Sequence, residues 1–503
     1  QMANESRKVY EDYLIALDAT KMQIKTIAPD GSLQFEDATY QKLADAGYEI
    51  TFKDFGYGLD HEEYENYVRA THGKTQFTNG NREYFAALQT GQTVPEGELL
   101  TKGTDGKYEV YTSKQLAAML NAGGSNINIR LMCDIDMSGE TYTPQNISNC
   151  TIDGNGHRIS GLSSSLFKDI NGSTISNLRI SGNITSGNGI LANYVGSGST
   201  LTNISVTGSV TNHTVDRVGG LAGEINNTTI TYCAAAVNVD GSTVPEGEEG
   251  GCYIGGLAGV ISYCATVENC SATGSISGAI NVGGFTGRAV NSTIKYCSSD
   301  CTVVSNANKY PTVYSPEYRG HHPDSGGFCG GANDSTFDTC VARGSMTDES
   351  GTSLDTPDAA HAYNKLSVIS GFLGCATGDS AGSTTIKNSD CYVNVTSKYT
   401  TSINGFASAY TSNSSNRLEI EHCNYYGTSL SSNYSASTHS CFAFCSSASA
   451  MKITDCYSSN TTYDFTTGTN VTGQTTNASS PRTNTINVTL PTIQTTTPLG
   501  GNA

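Results

Sequence analysis

Hydrophobic residues over most of the chain stand singly among Ser, Thr, Asn and Gly, without the i, i+3, i+4 spacing of an amphipathic helix. In Ser173-Thr174-Ile175-Ser176-Asn177-Leu178-Arg179-Ile180, the residues Ile175, Leu178 and Ile180 can point inward around a bend, as in a half-buried strand that turns a corner. Two phrases built on this pattern recur. The first, Val218-Gly219-Gly220-Leu221-Ala222-Gly223, returns at 254–259, 282–287 and 325–330, with degraded copies at 369–374 and 403–406. The second, Thr229-Ile230-Thr231-Tyr232-Cys233, returns around Cys270, Cys297, Cys340, Cys423 and Cys456. Their spacing of roughly 28–44 residues lies in the range of a solenoid repeat.

One such turn cannot bury its own apolar residues. Stacked turns can, because successive strands pair in parallel about 4.8 Å apart and like residues fall on like. The pattern therefore predicts a mainly β fold, a parallel and right-handed β-helix, with a small N-terminal α+β region in front. The glycine pairs suit a corner that needs positive φ or close backbone approach. Cys233, Cys270, Cys297, Cys340, Cys423 and Cys456 take a position that holds Leu178 and Ile204 in earlier turns, which predicts an interior ladder of free thiols. Disulfides among the other cysteines are the alternative. Zinc is not expected, because no C-x-x-C pair occurs and Cys297/Cys301 and Cys441/Cys445 have no partnering histidines.

Before the repeats, Tyr111-Thr112-Ser113-Lys114-Gln115-Leu116 opens a helix, followed by Ile127–Met132, Asp134-Ile135-Asp136-Met137-Ser138-Gly139, Tyr142-Thr143-Pro144 and a run from Ile152 to Leu162. Together with the Gly-Gly-Leu-Ala-Gly phrases, this stretch resembles bacterial GLUG-repeat proteins over residues 108–460. The resemblance implies a β-helix of the kind found in large surface proteins, adhesin-like proteins and the non-catalytic regions of certain immunoglobulin-cleaving metallopeptidases. The N-terminal helix resembles the ends of flagellin-like surface proteins of gut bacteria.

Four regions follow: an α+β region at 1–107, the β-helix entry at 108–162, the repeats at 163–460 and a Thr-rich tail at 461–503. Val9, Tyr13 and Leu17 form the apolar stripe of a leading amphipathic helix over residues 1–25. A hairpin is expected at 22–35 around Pro29-Asp30-Gly31, helices at 38–46, 61–70 and 82–88, and a strand at 48–52. Insertions at 240–251, 305–324 and 347–365 interrupt the coil and read as loops. The second carries Tyr310, Tyr314, Tyr318, Arg319, His321 and His322, the candidate partner-binding cluster. In the tail, Ile486, Val488 and Leu490 alternate like an orphan strand.

The net charge of −18 argues against nucleic acid and an anionic membrane surface. No apolar run is long enough to span a membrane, and no signal peptide is visible in a sequence that starts abruptly at Gln1, so a mature or trimmed form is expected. Sixteen cysteines, no Trp and a Ser/Thr/Asn/Gly surface suggest an extracellular or cell-surface protein. The polar clusters Asp134/Asp136 and Asp153/His157 lie in the entry and read as turn chemistry. His61-Glu62-Glu63-Tyr64-Glu65 lacks the second His of a zinc helix, and no nucleophile elbow, phosphate loop or dinucleotide fingerprint occurs. The expectation is no enzyme, no catalytic residues, no metal and no cofactor.

The function expected is a structural subunit of an extracellular filament or surface layer, a homopolymer held by Val9/Tyr13/Leu17 at one end and Ile486/Val488/Leu490 at the other. An adhesin or glycan-binding module is the second reading, with a host or surface glycan or protein as partner. A polysaccharide lyase or hydrolase is the third.

Overall fold

The computed structural model describes residues 105–241, 252–306, 324–349, 368–377, 383–397, 402–409, 418–428, 430–432, 438–445, 450–459 and 478–493, with short strands at 24–27, 33–35, 82–83, 100–102 and 464–465. Two compact units divide the chain: residues 1–161, 173–179 and 493–503 in one, residues 162–172 and 180–492 in the other. The helices expected before residue 105 and the loops at 307–323 and 350–367 lie outside the described residues.

In the first unit, Ile24–Ile27 and Leu33–Phe35 pair antiparallel, as the turn at Pro29-Asp30-Gly31 implies. Arg82–Glu83, expected in a helix, instead pairs antiparallel with Leu100–Thr101. A short segment gains more from ladder bonds to a neighbouring strand than from an isolated helical turn. The helix Ser113–Ala122 begins where expected. Thr112 caps it, accepting from the Gln115 amide at 3.1 Å while Gln115 Oε1 accepts from the Thr112 amide at 3.2 Å. Leu116, Met119 and Leu120 are its buried face. Beyond it, Ile129 stacks in parallel register between Tyr108 and Ile152, and Ile152 on Ile175. Beside Ile129, Arg130 lies between Asp105 at 2.6 Å and Asp153 at 3.4 Å.

The second unit is a coil with three strand-bearing faces per turn. One turn comprises Arg217–Gly219, Ala222–Asn226 and Thr229–Gly241. Each strand pairs in parallel with its counterpart in the next turn, as Val218 with Ile254, Ala222 with Ala258 and Ile230 with Val267. The three insertions all separate the third face of one turn from the first face of the next.

Like stacks on like inside. Phe285, Phe328, Phe372, Phe406 and Phe442 form one stack, with centroids 4.7–5.2 Å apart and ring planes within 21° of parallel. Phe337 meets Phe328 edge-on at 5.8 Å. Outside, Glu268, Lys295, Asp338, Lys387 and Glu421 are successive neighbours, so charge alternates along the column. The lysines lie 3.9 Å from Asp338 on either side. A slip of one turn would set like charges together, which destabilises facing strands.

The glycine corner works by close approach alone. Gly220 donates to the Gly256 carbonyl at 3.1 Å, and Gly256 to that of Gly284 at 3.0 Å. A methyl group on Gly256 would collide with the Gly284 carbonyl, and neither glycine has positive φ. Positive φ occurs at the other corners, mostly on residues with side chains such as Asn227 and Tyr263, and on Gly172.

Phe328 has no exposed surface and lies between two stacked rings. Phe328→Ala is expected to lower unfolding free energy by about 3–5 kcal/mol. Because solenoid turns lean mainly on their neighbours, hydrogen exchange should rise first in the turns holding Phe285 and Phe372.

Candidate functional site

The third face turns a corner at Asn203, Tyr232, Asn269, Tyr296, Thr339, Asn388, His422 and Asp455, all with φ between 52° and 58°. Asparagine tolerates this left-handed geometry, while Tyr, Thr and His are strained in it by about 1–2 kcal/mol. The next residue points inward and closes the turn. Cys270 Sγ donates to the Glu268 carbonyl at 3.3 Å and Cys297 Sγ to that of Lys295 at 3.1 Å. Cys233, Cys340, Cys423 and Cys456 make the same contact two residues back. All six are buried, and Cys233 is in register with Ile204, as the repeat pattern predicts. In the turn after Cys340 the position is taken by Ser389, whose hydroxyl donates to the Lys387 carbonyl at 2.8 Å and accepts from the Cys340 amide at 3.0 Å. The ladder is thus a series of corner locks. Burial pushes the Cys340 thiol up to about 12, which leaves little thiolate for chemistry.

The chain's own tail lies on this corner. Residues 478–492 run back along it, opposite to the direction in which the turns accumulate. The Ala478 amide donates to the Cys456 carbonyl at 2.9 Å. Asn424 grips Arg482 twice: Nδ2 donates to its carbonyl at 2.9 Å, and Oδ1 accepts from its amide at 2.8 Å. Asn203 repeats this grip on Thr492 at 2.8 and 2.9 Å, and Asn269 Oδ1 accepts from the Thr489 amide at 3.1 Å. Asn484 donates to the Asp390 carboxylate at 2.9 Å and to the His422 carbonyl at 3.0 Å, while Arg482 meets Asp455 at 3.1 Å. From Asn203 to Asp455 the corner climbs seven turns, about 34 Å at about 4.8 Å per turn. The backbone of Arg482 is held by Asn424, six turns from Asn203, so ten residues cover about 29 Å, about 2.9 Å each, and the strap is extended but short of the full strand rise of about 3.4 Å.

Of the residues proposed for self-association, Ile486 and Val488 are half-buried and Leu490 is 59% exposed. The alternation seen in the sequence is that of a strap laid on a flank. Val9, Tyr13 and Leu17, and Tyr310, Tyr314, Tyr318, Arg319, His321 and His322, lie outside the described residues. No signal in the repeats marked the asparagine clamps: Asn203 and Asn269 sit at positive-φ corners that asparagine commonly fills, and Asn424 in a strand, so nothing in the sequence sets them apart.

Two further polar groups stand apart from the strap. In the entry, His157 Nδ1 lies 3.2 Å from Asp134 Oδ1, which also accepts from the Arg158 amide at 2.9 Å, and burial holds the imidazole below its usual range. Asp153 accepts from the Asn155 amide at 2.8 Å, the expected turn bond. In the coil, Asp324 is buried with Oδ1 unpartnered among the described residues. Burial pushes its carboxyl well above the usual range, against the pull of the Arg288 charge. Arg288 itself donates to Asn333 Oδ1 at 2.5 Å. Among the described residues no group of three or more His, Cys, Asp or Glu side chains could hold a metal ion.

The GLUG motif matches residues 250–277, the turn that contains Gly255-Gly256-Leu257 and Cys270. No curated protein sequence matches the chain. Among solved structures, a provisionally named immunoglobulin A1 protease of Bacteroides ovatus is 18% identical with a TM-score of 0.38, over 54% of this chain and 85% of that one. A second structure, named IgA1 protease, is 16% identical with a TM-score of 0.37, over 63% of this chain and 21% of that one. The chain therefore spans about a fifth of that second protein. The expectation that this chain is not an enzyme is corrected here, because both structures bear the name of a protease. Missing sequence motifs were too thin a basis for it.

Two outcomes test these local readings. Cys270→Ser should cost less than about 1 kcal/mol in a denaturant titration, because its hydroxyl inherits the Glu268 carbonyl as acceptor. Asp324→Asn should stabilise the protein more at pH 8 than at pH 3. With a raised folded pKa, the parent is most stable below the unfolded carboxylate value and loses stability as pH climbs toward the folded one. Melting temperatures across that range check the trend; a constant difference would refute it.

Proposed function

We propose that this protein is a structural element of the bacterial surface, a subunit of an extracellular filament or surface layer that displays its β-helix and assembles through its termini. The observation that carries the reading is the strap. A tail tied along seven turns by side-chain clamps braces the coil lengthwise, against the sliding and peeling that load would cause. The interior supports it: ladders of Phe, Ile and Cys fill the coil from turn to turn. The GLUG motif and the absence, among the described residues, of any helix able to cross a membrane agree with a secreted or surface location.

A second reading, an adhesin or glycan-binding module, is favoured by the aromatic surface. Tyr263 is 58% exposed, and Tyr392 stacks on Tyr426 at 4.9 Å with the Arg343 guanidinium 4.5 Å over its ring. Those three groups cover one another's faces, which leaves ring edges and hydroxyls, rather than open faces, for a sugar.

Electron microscopy separates the two. The purified protein is expected to form ordered polymers, and removal of residues 461–503 or of residues 1–25 to leave single, β-rich particles. Monomers from the full chain together with micromolar binding on a glycan array would favour the adhesin.

A further inference from the structure

The clamps that hold the strap read its backbone. Asn203 and Asn424 each offer one carboxamide that takes both the amide and the carbonyl of a single strap residue, Thr492 and Arg482. Asn269 takes a third amide, at Thr489. Nothing in this geometry requires the strap to belong to the coil it lies on. The strap's contacts are also peripheral: every second residue from 483 to 489 is exposed, and Leu490 presents most of its side chain to water. Between Phe465, which pairs with Ser432, and Ala478 the chain provides 12 residues, enough to reach about 40 Å if extended. An exchanged strap would keep every hydrogen bond of the closed form. Its enthalpy is nearly conserved, so concentration decides between the closed and the exchanged arrangement.

We propose that residues 478–492 are exchanged between copies, the strap of one molecule occupying the asparagine-lined corner of the next, and that this is the contact by which the subunit assembles. The proposal deepens the filament reading and rests on it for its biological meaning, but it is tested separately. The partner is a second copy of this chain, selected by register: Asn203 and Asn424 must meet amides ten residues apart on one extended strand.

The test uses the full chain carrying Asn203→Cys and Thr492→Cys, prepared once with natural nitrogen and once with nitrogen-15. The two are mixed, given time to assemble, oxidised mildly and digested. Mass spectrometry then reads whether the linked peptides carry one isotope or both. Exchange predicts that about half of the linked peptides are mixed, whether or not visible polymers form. Linked peptides of a single isotope throughout would overturn exchange; polymers formed at the same time would show that the filament reading stands without it. A second measurement covers failure of the cysteine pair to link. A fluorescent peptide of residues 478–493 should enter the unmodified full chain, and Asn203→Ala with Asn424→Ala should weaken its uptake at least tenfold. Uptake that is absent, or untouched by the two substitutions, would equally overturn the proposal.

Discussion

Everything in the coil follows from one constraint: parallel strands pair about 4.8 Å apart, so each side chain rests on its counterpart in the next turn. Where counterparts are alike and apolar, the result is a continuous stack such as Phe285 to Phe442. Where they are charged, alternation is required, and the column from Glu268 to Glu421 supplies it. Where the backbone must turn, the same register repeats one solution along a corner. A residue with positive φ is followed by an inward Cys or Ser that donates to the carbonyl two residues back.

The corner explains why cysteine dominates a position that hydrophobic residues also take. Leu or Ile fills the space, as at Ile204, but gives the turn no donor. Serine gives the donor and fills less volume. The thiol does both, which is why a free cysteine, among the most often buried of residues, suits the site. Redox chemistry is not needed to account for it.

The legible parts of this fold were those fixed by repetition. The period, the parallel stacking, the inward cysteines and the helix that opens near Ser113 all follow from residues close in sequence. The glycine corners were half legible: Gly-Gly signals a special backbone but does not say whether positive φ or close approach is the reason, and here it is the latter. The strap was legible as a strand and illegible in place. Asn203 and Thr492 lie 289 residues apart, and an asparagine that grips a distant backbone looks like one that merely turns its own. Arg82–Glu83 went astray for the usual reason, a local helical preference too weak to resist a neighbouring strand.

The strap and the coil keep different rulers. An extended chain advances about 3.4 Å per residue and the coil about 4.8 Å per turn, so three residues of tail match two turns. One pair of clamps fits this vernier: Thr489 and Thr492, three residues apart, meet Asn269 and Asn203, two turns apart, whereas the seven residues from Thr489 back to Arg482 cover four turns and carry slack. A gene that duplicated one repeat near Asn203 would leave every clamp beyond it out of phase by half a peptide unit. Duplication of two, with three residues added to the tail, would restore them all. Growth of such a protein over evolutionary time is therefore smoothest in pairs of turns near Asn203, while the slacker stretch of tail toward Asn424 can absorb a single one.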